Sequence, residues 1–198
     1  MSASVLQNFL PDGALPFLQE WFGKYPCHLK ITKSRESKLG DYRKLPDQSH
    51  QITVNGTLQP ELFFFVLTHE IAHLIAFDQY GWRIAPHGEE WKHTFRTMLL
   101  ESLSVYQKEL QPLIVKFSKS PKANFMASPD LVKYFHKETG NGEVFIENLE
   151  KGAFFLYKSE KYRVEETSKK TYLCTHLRTT RKYNFKKVAL VKRIDLHE

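Results

Sequence analysis

The segment VLTHEIAHL, residues 66–74, places two histidines four positions apart, with a glutamate directly after the first. On a helix of 3.6 residues per turn, His69 and His73 project from nearly the same face, so both imidazoles can bind one metal ion. Glu70 lies about 100° further round the helix, where its carboxylate can act on a water molecule as a general base. The spacing indicates a catalytic zinc site, in which three protein ligands leave one position for water.

A third ligand has to come from outside this helix, and the next segment, GWRIAPHGEEWKHTF, offers several candidates. His87 stands between Pro86 and Gly88, where a turn can bring its imidazole back over the first helix. We therefore expect His69, His73 and His87 to bind one zinc ion per chain, since imidazole-rich ligation favours zinc. The alternative ligands are Glu89, Glu90 and His93.

The sequence offers more than one candidate residue for each of two further roles at the site. Asp47 and Asp78 are candidates to accept a hydrogen bond from the second nitrogen of a ligand imidazole. The candidates to stabilise the oxyanion of the reaction are Tyr42, Arg43 and Tyr80.

Hydrophobic periodicity predicts the elements that position these residues. A helix begins at Pro60 and runs to Gly81, and because it is apolar almost all round it should be buried. A second helix is predicted over residues 89–107, with Trp91, Phe95, Met98 and Leu99 as its core-packing stripe. An amphipathic helical entry precedes two strands, HLKITKS (28–34) and HQITVNGTL (50–58). The stretch between these strands, RESKLGDYRKLPD (35–47), reads as a polar connection.

The bulk composition favours a folded intracellular protein. The first ten residues, MSASVLQNFL, lack the features of a secretory signal, and we expect no apolar run elsewhere to approach the length needed to span a membrane. Cys27 and Cys174 are too few and too far apart to suggest a disulfide framework. We therefore expect a soluble, cytoplasmic protein with no membrane partner.

Positive charge is concentrated in the last part of the chain. The net charge is +7, yet residues 1–114 contain 11 Lys and Arg against 12 Asp and Glu, whereas residues 115–198 contain 18 against 10. A basic module of this kind favours a polyanionic partner, because clustered cations release counterions from it. A basic surface that merely aids solubility is the alternative.

The character of the chain changes after residue 114. A Ser-, Pro- and Lys-rich linker is predicted over residues 115–128, followed by a short helix and several strands in a module spanning 129–198. Within it, HLRTTRKYNFKK interleaves cations with aromatic side chains, which suits single-stranded DNA, although an edge hairpin with cations facing water would have the same pattern. The candidate nucleic-acid-binding residues are Arg178, Arg181, Lys182, Tyr183, Lys186 and Lys187.

Four segments carry a resemblance: THEIAHL, PHGEEWKHTF with His87 fourteen residues after His73, and the preceding SRESKLGDYR and HQITVNGTL. Together they resemble the SprT-like, Spartan-related zinc metallopeptidases over residues 28–105. The resemblance implies an α+β fold: a minimal zincin-like core, with the active-site helix beside a small sheet, in residues 1–114. It also implies that His69, His73 and His87 bind zinc, that Glu70 is catalytic, and that the substrates are proteins bound or crosslinked to DNA.

The C-terminal module departs from the family pattern. SprT-like proteins often follow the protease core with a four-cysteine zinc ribbon, but residues 115–198 contain only Cys174. We therefore expect a basic β-rich module that has replaced its metal with a hydrophobic core. The expected core residues are Phe154, Phe155, Tyr157, Tyr162, Tyr172, Leu173, Tyr183 and Phe185. Two functions stay open: a zinc endopeptidase that uses Glu70 as general base, and a nucleic-acid-binding or interaction protein with a structural or vestigial zinc site.

Overall fold

The computed structural model describes residues 3–35, 38–124, 127–139 and 142–195. It contains both helices and two sheets, which confirms the α+β class. The chain divides into two compact units, Met1–Phe135 and His136–Glu198. Each unit has its own hydrophobic core.

The first unit combines helices with a three-stranded sheet. Its elements are α1 (Ala3–Gln7), α2 (Ala14–Lys24), β1 (His28–Thr32), β2 (Gly40–Lys44), β3 (His50–Asn55), α3 (Pro60–Tyr80), α4 (Glu89–Glu101), α5 (Gln111–Ser118) and the first part of α6 (Pro129–Thr139). A 3₁₀ turn at Leu103–Val105 follows α4, so the predicted second helix ends earlier than residue 107.

Helix α3 forms the centre of this unit. Pro60 occupies its first turn, and Gly81, at φ 80°, ends it by donating its N–H to the Phe77 carbonyl at 2.9 Å. By length and composition α3 could cross a membrane, which corrects the expectation that no segment is long and apolar enough. However, 72% of that span is buried inside the protein, as in the core helix of a soluble protein.

The sheet of the first unit lies beside α3 and has the strand order β1-β3-β2. Strand β3 pairs in parallel with β1 and antiparallel with β2, with Tyr42 opposite Ile52. Strand β2 falls within the stretch that we interpreted as a polar connection, so that interpretation is wrong for residues 40–44. Its sequence, GDYRK, has a single apolar residue. As a half-buried edge strand, β2 is stabilised by packing against α3 and not by an apolar pattern of its own.

Helices α5 and α6 extend the core beyond residue 114. Phe117 lies in α5, 5.4 Å from Phe65 and 6.0 Å from Phe95 between ring centroids, and Phe135 in α6 is 6.1 Å from Phe65. The stretch predicted as a linker, 115–128, therefore begins inside a core helix. Residues 125 and 126 of this stretch lie outside the described residues. The boundary between the units falls after Phe135.

The second unit is a small sheet with the order β4-β9-β5-β6-β7-β8. Its strands are β4 (Val144–Phe145), β5 (Phe154–Tyr157), β6 (Glu160–Thr167), β7 (Thr171–His176), β8 (Lys182–Lys186) and β9 (Leu190–Ile194). Strands β5 to β8 form an antiparallel meander, and β9 returns to pair with both β4 and β5. Phe155, Val164 and Cys174 lie at the centre of its core, each 0% exposed.

The boundary between the units can be tested by truncation. We expect residues 1–139 to unfold cooperatively and residues 1–114 to fail to fold, because the shorter chain lacks Phe117, Leu131 and Phe135. Removing one large buried apolar side chain costs about 2–5 kcal/mol, and the loss of three approaches the whole stability of a typical domain. Thermal unfolding followed by circular dichroism measures this; equal midpoints for the two chains would contradict the boundary.

Candidate metal centre

Three imidazoles converge at one point beside α3. His69 and His73 project from adjacent turns of α3, and His87 comes from the turn that precedes α4. The Nε2 atom of His73 lies 3.3 Å from that of His69 and 3.1 Å from that of His87, and the remaining pair is 3.4 Å apart. These three residues form the candidate metal-binding group among the described residues.

The triangle of Nε2 atoms has the dimensions of one face of a zinc site. Zinc–nitrogen bonds of 2.0–2.1 Å in a tetrahedron place neighbouring nitrogens about 3.3–3.4 Å apart. Hydrogen bonds between neutral imidazoles cannot satisfy the same triangle. Each Nε2 carries either a proton or a lone pair, so at least one of the three contacts would join two like groups. A cation facing three lone pairs removes this conflict, and the residues present fit zinc.

Trp91 forms a wall that contacts all three imidazoles. Its ring centroid lies 4.7 Å from those of His69 and His87 and 5.2 Å from that of His73, and its Nε1–H points at the His69 carbonyl 3.4 Å away. The side chain is 0% exposed. We interpreted Trp91 as core packing alone; because periodicity cannot distinguish a core residue from one that supports a site, its second role was missed.

Burial holds the imidazoles in their neutral form. Desolvation, followed by the neighbouring imidazoles, lowers the pKa of His69 well below its usual value. The same causes lower the pKa of His73 to about 4, and desolvation lowers that of His87. Neutral imidazole is the form that binds metal ions, so protons compete weakly for this site near neutral pH.

Glu70, the residue after His69 on α3, carries a buried carboxyl group. It is 8% exposed, and burial raises the pKa of its carboxyl to about 8, with a smaller contribution in the same direction from Asp41. The backbone N–H of Tyr42 donates a hydrogen bond to the carboxylate and opposes the increase. A carboxyl group with a pKa near neutrality can both accept and release a proton.

Strand β2 brings Tyr42 to the same site. The Tyr42 ring is nearly parallel to the His73 ring, with 6.2 Å between centroids, and its hydroxyl lies 2.9 Å from Nδ1 of His50. Burial raises the pKa of Tyr42 to about 12, with a further contribution from Asp78. Of the three candidates for stabilising an oxyanion, Tyr42 is therefore the one in contact with a candidate ligand.

The remaining candidates have other surroundings. The guanidinium of Arg43 donates to Gln51 Oε1 on the exposed side of β2, and Tyr80 is 49% exposed. Asp47 accepts hydrogen bonds from Ser49 in a turn. The alternative ligands are also engaged elsewhere or exposed: Glu89 pairs with Lys92 at 2.7 Å, His93 faces solvent, and Glu90 is absent from the candidate metal-binding group of the described residues.

The C-terminal candidates for nucleic-acid binding do not share one surface. Because side chains alternate along a strand, Lys182 and Lys186 face away from the core of the second unit, whereas Tyr183 lies on the core side against Tyr162 at 5.8 Å. Arg178 lies in the turn after β7 and pairs with Glu160 at 2.9 Å. Arg181 is exposed, and Lys187 is partly buried. The pleat of the strand therefore places the alternating cations and aromatic side chains on opposite faces of the sheet.

Comparison with known proteins gives one family. Residues 18–109 match the model of the SprT-like family. Protein SprT of Escherichia coli O1:K1 is 38% identical over 69 residues, which covers 32% of this chain and 41% of the relative. Protein SprT of E. coli O139:H28 and that of Escherichia fergusonii match to the same extent. The chain thus spans less than half the length of these relatives. No solved structure matches it significantly.

The ligand set can be tested with a pair of histidine variants. We expect wild-type protein and His93→Ala to bind one zinc ion per chain, and His87→Ala to bind zinc more than about 100-fold more weakly, since even partners behind the ligands contribute about 10–100-fold. A competition titration against a chromophoric chelator measures the affinities. Equal affinities for His87→Ala and wild type, or a loss in His93→Ala, would contradict this ligand set.

The pKa of Glu70 predicts how stability depends on pH in protein stripped of metal by a chelator. The folded-state pKa, about 8, lies above the ordinary value of 4.5. The folded state therefore holds an extra proton between these values, so this contribution to stability is fully present below the lower pKa and is lost as pH rises through the higher one.

In Glu70→Gln the contribution is absent, so its free energy of unfolding relative to wild type should increase from about pH 5 to about pH 8. Urea unfolding across this range measures the difference. Glu89→Gln, which changes an exposed carboxylate, should follow the wild-type curve. Parallel curves for Glu70→Gln and wild type would contradict the assignment.

Proposed function

We propose that this chain, which belongs to the SprT-like family through residues 18–109, is a zinc-dependent endopeptidase with a zincin-like core. The observation that carries the proposal is the triangle of three Nε2 atoms 3.1–3.4 Å apart, together with the buried carboxylate of Glu70, the residue that follows His69 on α3. In this proposal His69, His73 and His87 hold the metal, and the protein acts in the cytoplasm on protein substrates.

The proposed roles of the residues follow from their surroundings. A zinc ion held by the three imidazoles would supply a Lewis acid for the peptide carbonyl and lower the pKa of a water molecule. Glu70 accepts a proton from the attacking water and then delivers it to the amide nitrogen, so that a C–O bond forms as the C–N bond breaks. Burial raises the pKa of Glu70 in the metal-free protein, and a zinc ion at the site would favour the ionised form that accepts the first proton. Trp91 excludes water behind the ligands.

We further propose that the second unit recruits the enzyme to DNA through the face of its sheet that points away from the core. In the strand register Lys182 lies opposite Thr175, Thr175 opposite Arg163, and Arg163 opposite Phe154. The exposed cations of this face include Lys161, Lys186 and Lys192.

This face has the composition that a polyanion requires. Clustered lysines bind phosphates, and the half-exposed Phe154 offers a ring for base stacking. The face also carries two acidic residues: Glu165, bonded to Arg163 at 2.9 Å, and the exposed Glu166, opposite Leu173 in the register. The substrates would then be proteins bound or crosslinked to DNA.

A second candidate function is a nucleic-acid-binding protein whose metal site is structural, and the basic outer face favours it. The two functions predict different results with the same reagents. A binding protein would associate with single-stranded DNA in a salt-sensitive way without cleaving any protein.

The decisive variant is Glu70→Gln, with Glu89→Gln as its matched control because Glu89 is exposed and pairs only with Lys92 among the ion pairs of the described residues. We expect wild type and Glu89→Gln to cleave a DNA-binding protein faster with single-stranded DNA than without it. Glu70→Gln should keep its zinc and lose about 100-fold or more in cleavage rate, the contribution of a general base. Gel-based proteolysis and zinc stoichiometry measure both quantities.

Cleavage by Glu70→Gln at the wild-type rate would contradict the mechanism. Salt-sensitive DNA binding by wild-type protein, with no cleavage in the presence or absence of DNA, would favour the binding function instead. Cleavage that is indifferent to DNA would keep the peptidase and remove the proposed recruitment.

A further inference from the structure

Gly40, the first residue of β2, lies against Glu70 so closely that no side chain fits between them. A Cβ atom built on Gly40 would lie 2.6 Å from Oε1 of Glu70 and 2.9 Å from its Cγ atom. It would also lie 2.7 Å from Cγ1 of Val66, one turn earlier on α3. A Cβ atom essentially never lies under 3.0 Å from an atom to which it is not bonded, so either the carboxylate or the strand would have to move.

The requirement at this position is space, not backbone conformation. The described glycines with positive φ are Gly13, Gly81, Gly142 and Gly152, and Gly40 is not among them. Alanine can therefore adopt the same backbone conformation, and any effect of a methyl group at residue 40 comes from its contacts with α3.

Strand β2 holds the carboxylate from two directions. Gly40 provides the surface against which the Glu70 side chain packs, and two residues further along the Tyr42 N–H donates a hydrogen bond to the carboxylate. Since alternate residues of a strand face the same side, Gly40 and Tyr42 both face α3. The strand thus limits where the carboxylate can lie and gives it a fixed donor.

We propose that Gly40 is a positioning residue for Glu70: the absence of a side chain at residue 40 lets the carboxylate take the position from which it reaches the substrate and accepts the Tyr42 N–H. This inference rests on the proposed role of Glu70 as general base. A methyl group at residue 40 displaces the carboxylate, and a displacement of about 1 Å is enough to lower a rate about 100-fold.

Gly56 supplies a matched control. A Cβ on Gly56 would lie 2.7 Å from Ile31 Cγ2 and 3.2 Å from Phe9 Cε1, so Gly56→Ala introduces a comparable steric conflict against residues of the core instead of the site. We expect Gly40→Ala to lower kcat about 100-fold with KM and zinc stoichiometry unchanged. Gly56→Ala should lose stability and keep its kcat.

A readout independent of activity is hydrogen exchange at the Tyr42 amide, measured by NMR. Gly40→Ala and the reference variant Glu70→Ala should both exchange this proton faster than wild type, because each takes the acceptor away from it; Gly56→Ala should not. If wild-type protein cleaves nothing, the proposed function fails, yet the amide exchange still tests whether Gly40 positions the carboxylate.

A double variant separates the carboxylate from general packing and guards against misfolding of Gly40→Ala. Gly40→Ala combined with Val66→Ala removes the contact with Val66 and leaves the contact with Glu70. We expect this protein to recover stability while kcat stays low and the Tyr42 amide stays exposed to exchange. Recovery of wild-type kcat, or wild-type exchange at Tyr42 in Gly40→Ala, would overturn the proposal.

Discussion

The approach of three imidazole nitrogens to within 3.1–3.4 Å of one another is the constraint on which the first unit depends. Three lone pairs directed at one point repel one another unless a cation lies between them, and a hydrogen-bonded arrangement cannot satisfy all three contacts. Holding them there requires rigid support from several elements. Helix α3 fixes two imidazoles, the turn before α4 fixes the third, and the buried Trp91 packs against all three.

The dry surroundings of the imidazoles also determine the behaviour of Glu70. The burial that lowers the pKa values of His69 and His73 raises that of the neighbouring carboxyl, because in each case the charged form is the one that loses solvation. Glu70 ionises more readily when a positive charge lies close to it. A metal ion held by the imidazoles would therefore favour the carboxylate form that a general base needs.

The sequence was sufficient to predict the helical pair of histidines and the return of His87, because a 3.6-residue period and a Pro-His-Gly turn are local features. It was not sufficient for β2, since a five-residue edge strand with one apolar side chain has no periodicity to detect. Missing β2 meant missing part of the site. Two groups of the sheet contact the Glu70 carboxylate, Gly40 and the Tyr42 N–H, and both lie in the segment interpreted as a connection. The extension of the core through α5 was missed for a related reason, as its short apolar run merges into a Ser- and Lys-rich stretch.

In the second unit, too, the sequence predicted the strands but not how they pair. Its strand-like segments were predictable from alternation, and Phe155, Tyr162 and Phe185 of the expected core are buried together. Phe154 and Leu173 were also expected there, but they lie on the opposite face of the sheet. Which cations face outward together depends on the register between strands, so Lys161 and Lys182 share a face only because β5 to β8 pair as they do.

The central claim of the whole account is the three-imidazole metal site, and X-ray absorption spectroscopy of the zinc-loaded protein tests it most directly. The account predicts a four-coordinate site with three imidazole nitrogens at about 2.0–2.1 Å and one further light atom. A sulfur ligand, or fewer than three imidazoles in the zinc coordination shell, would contradict it.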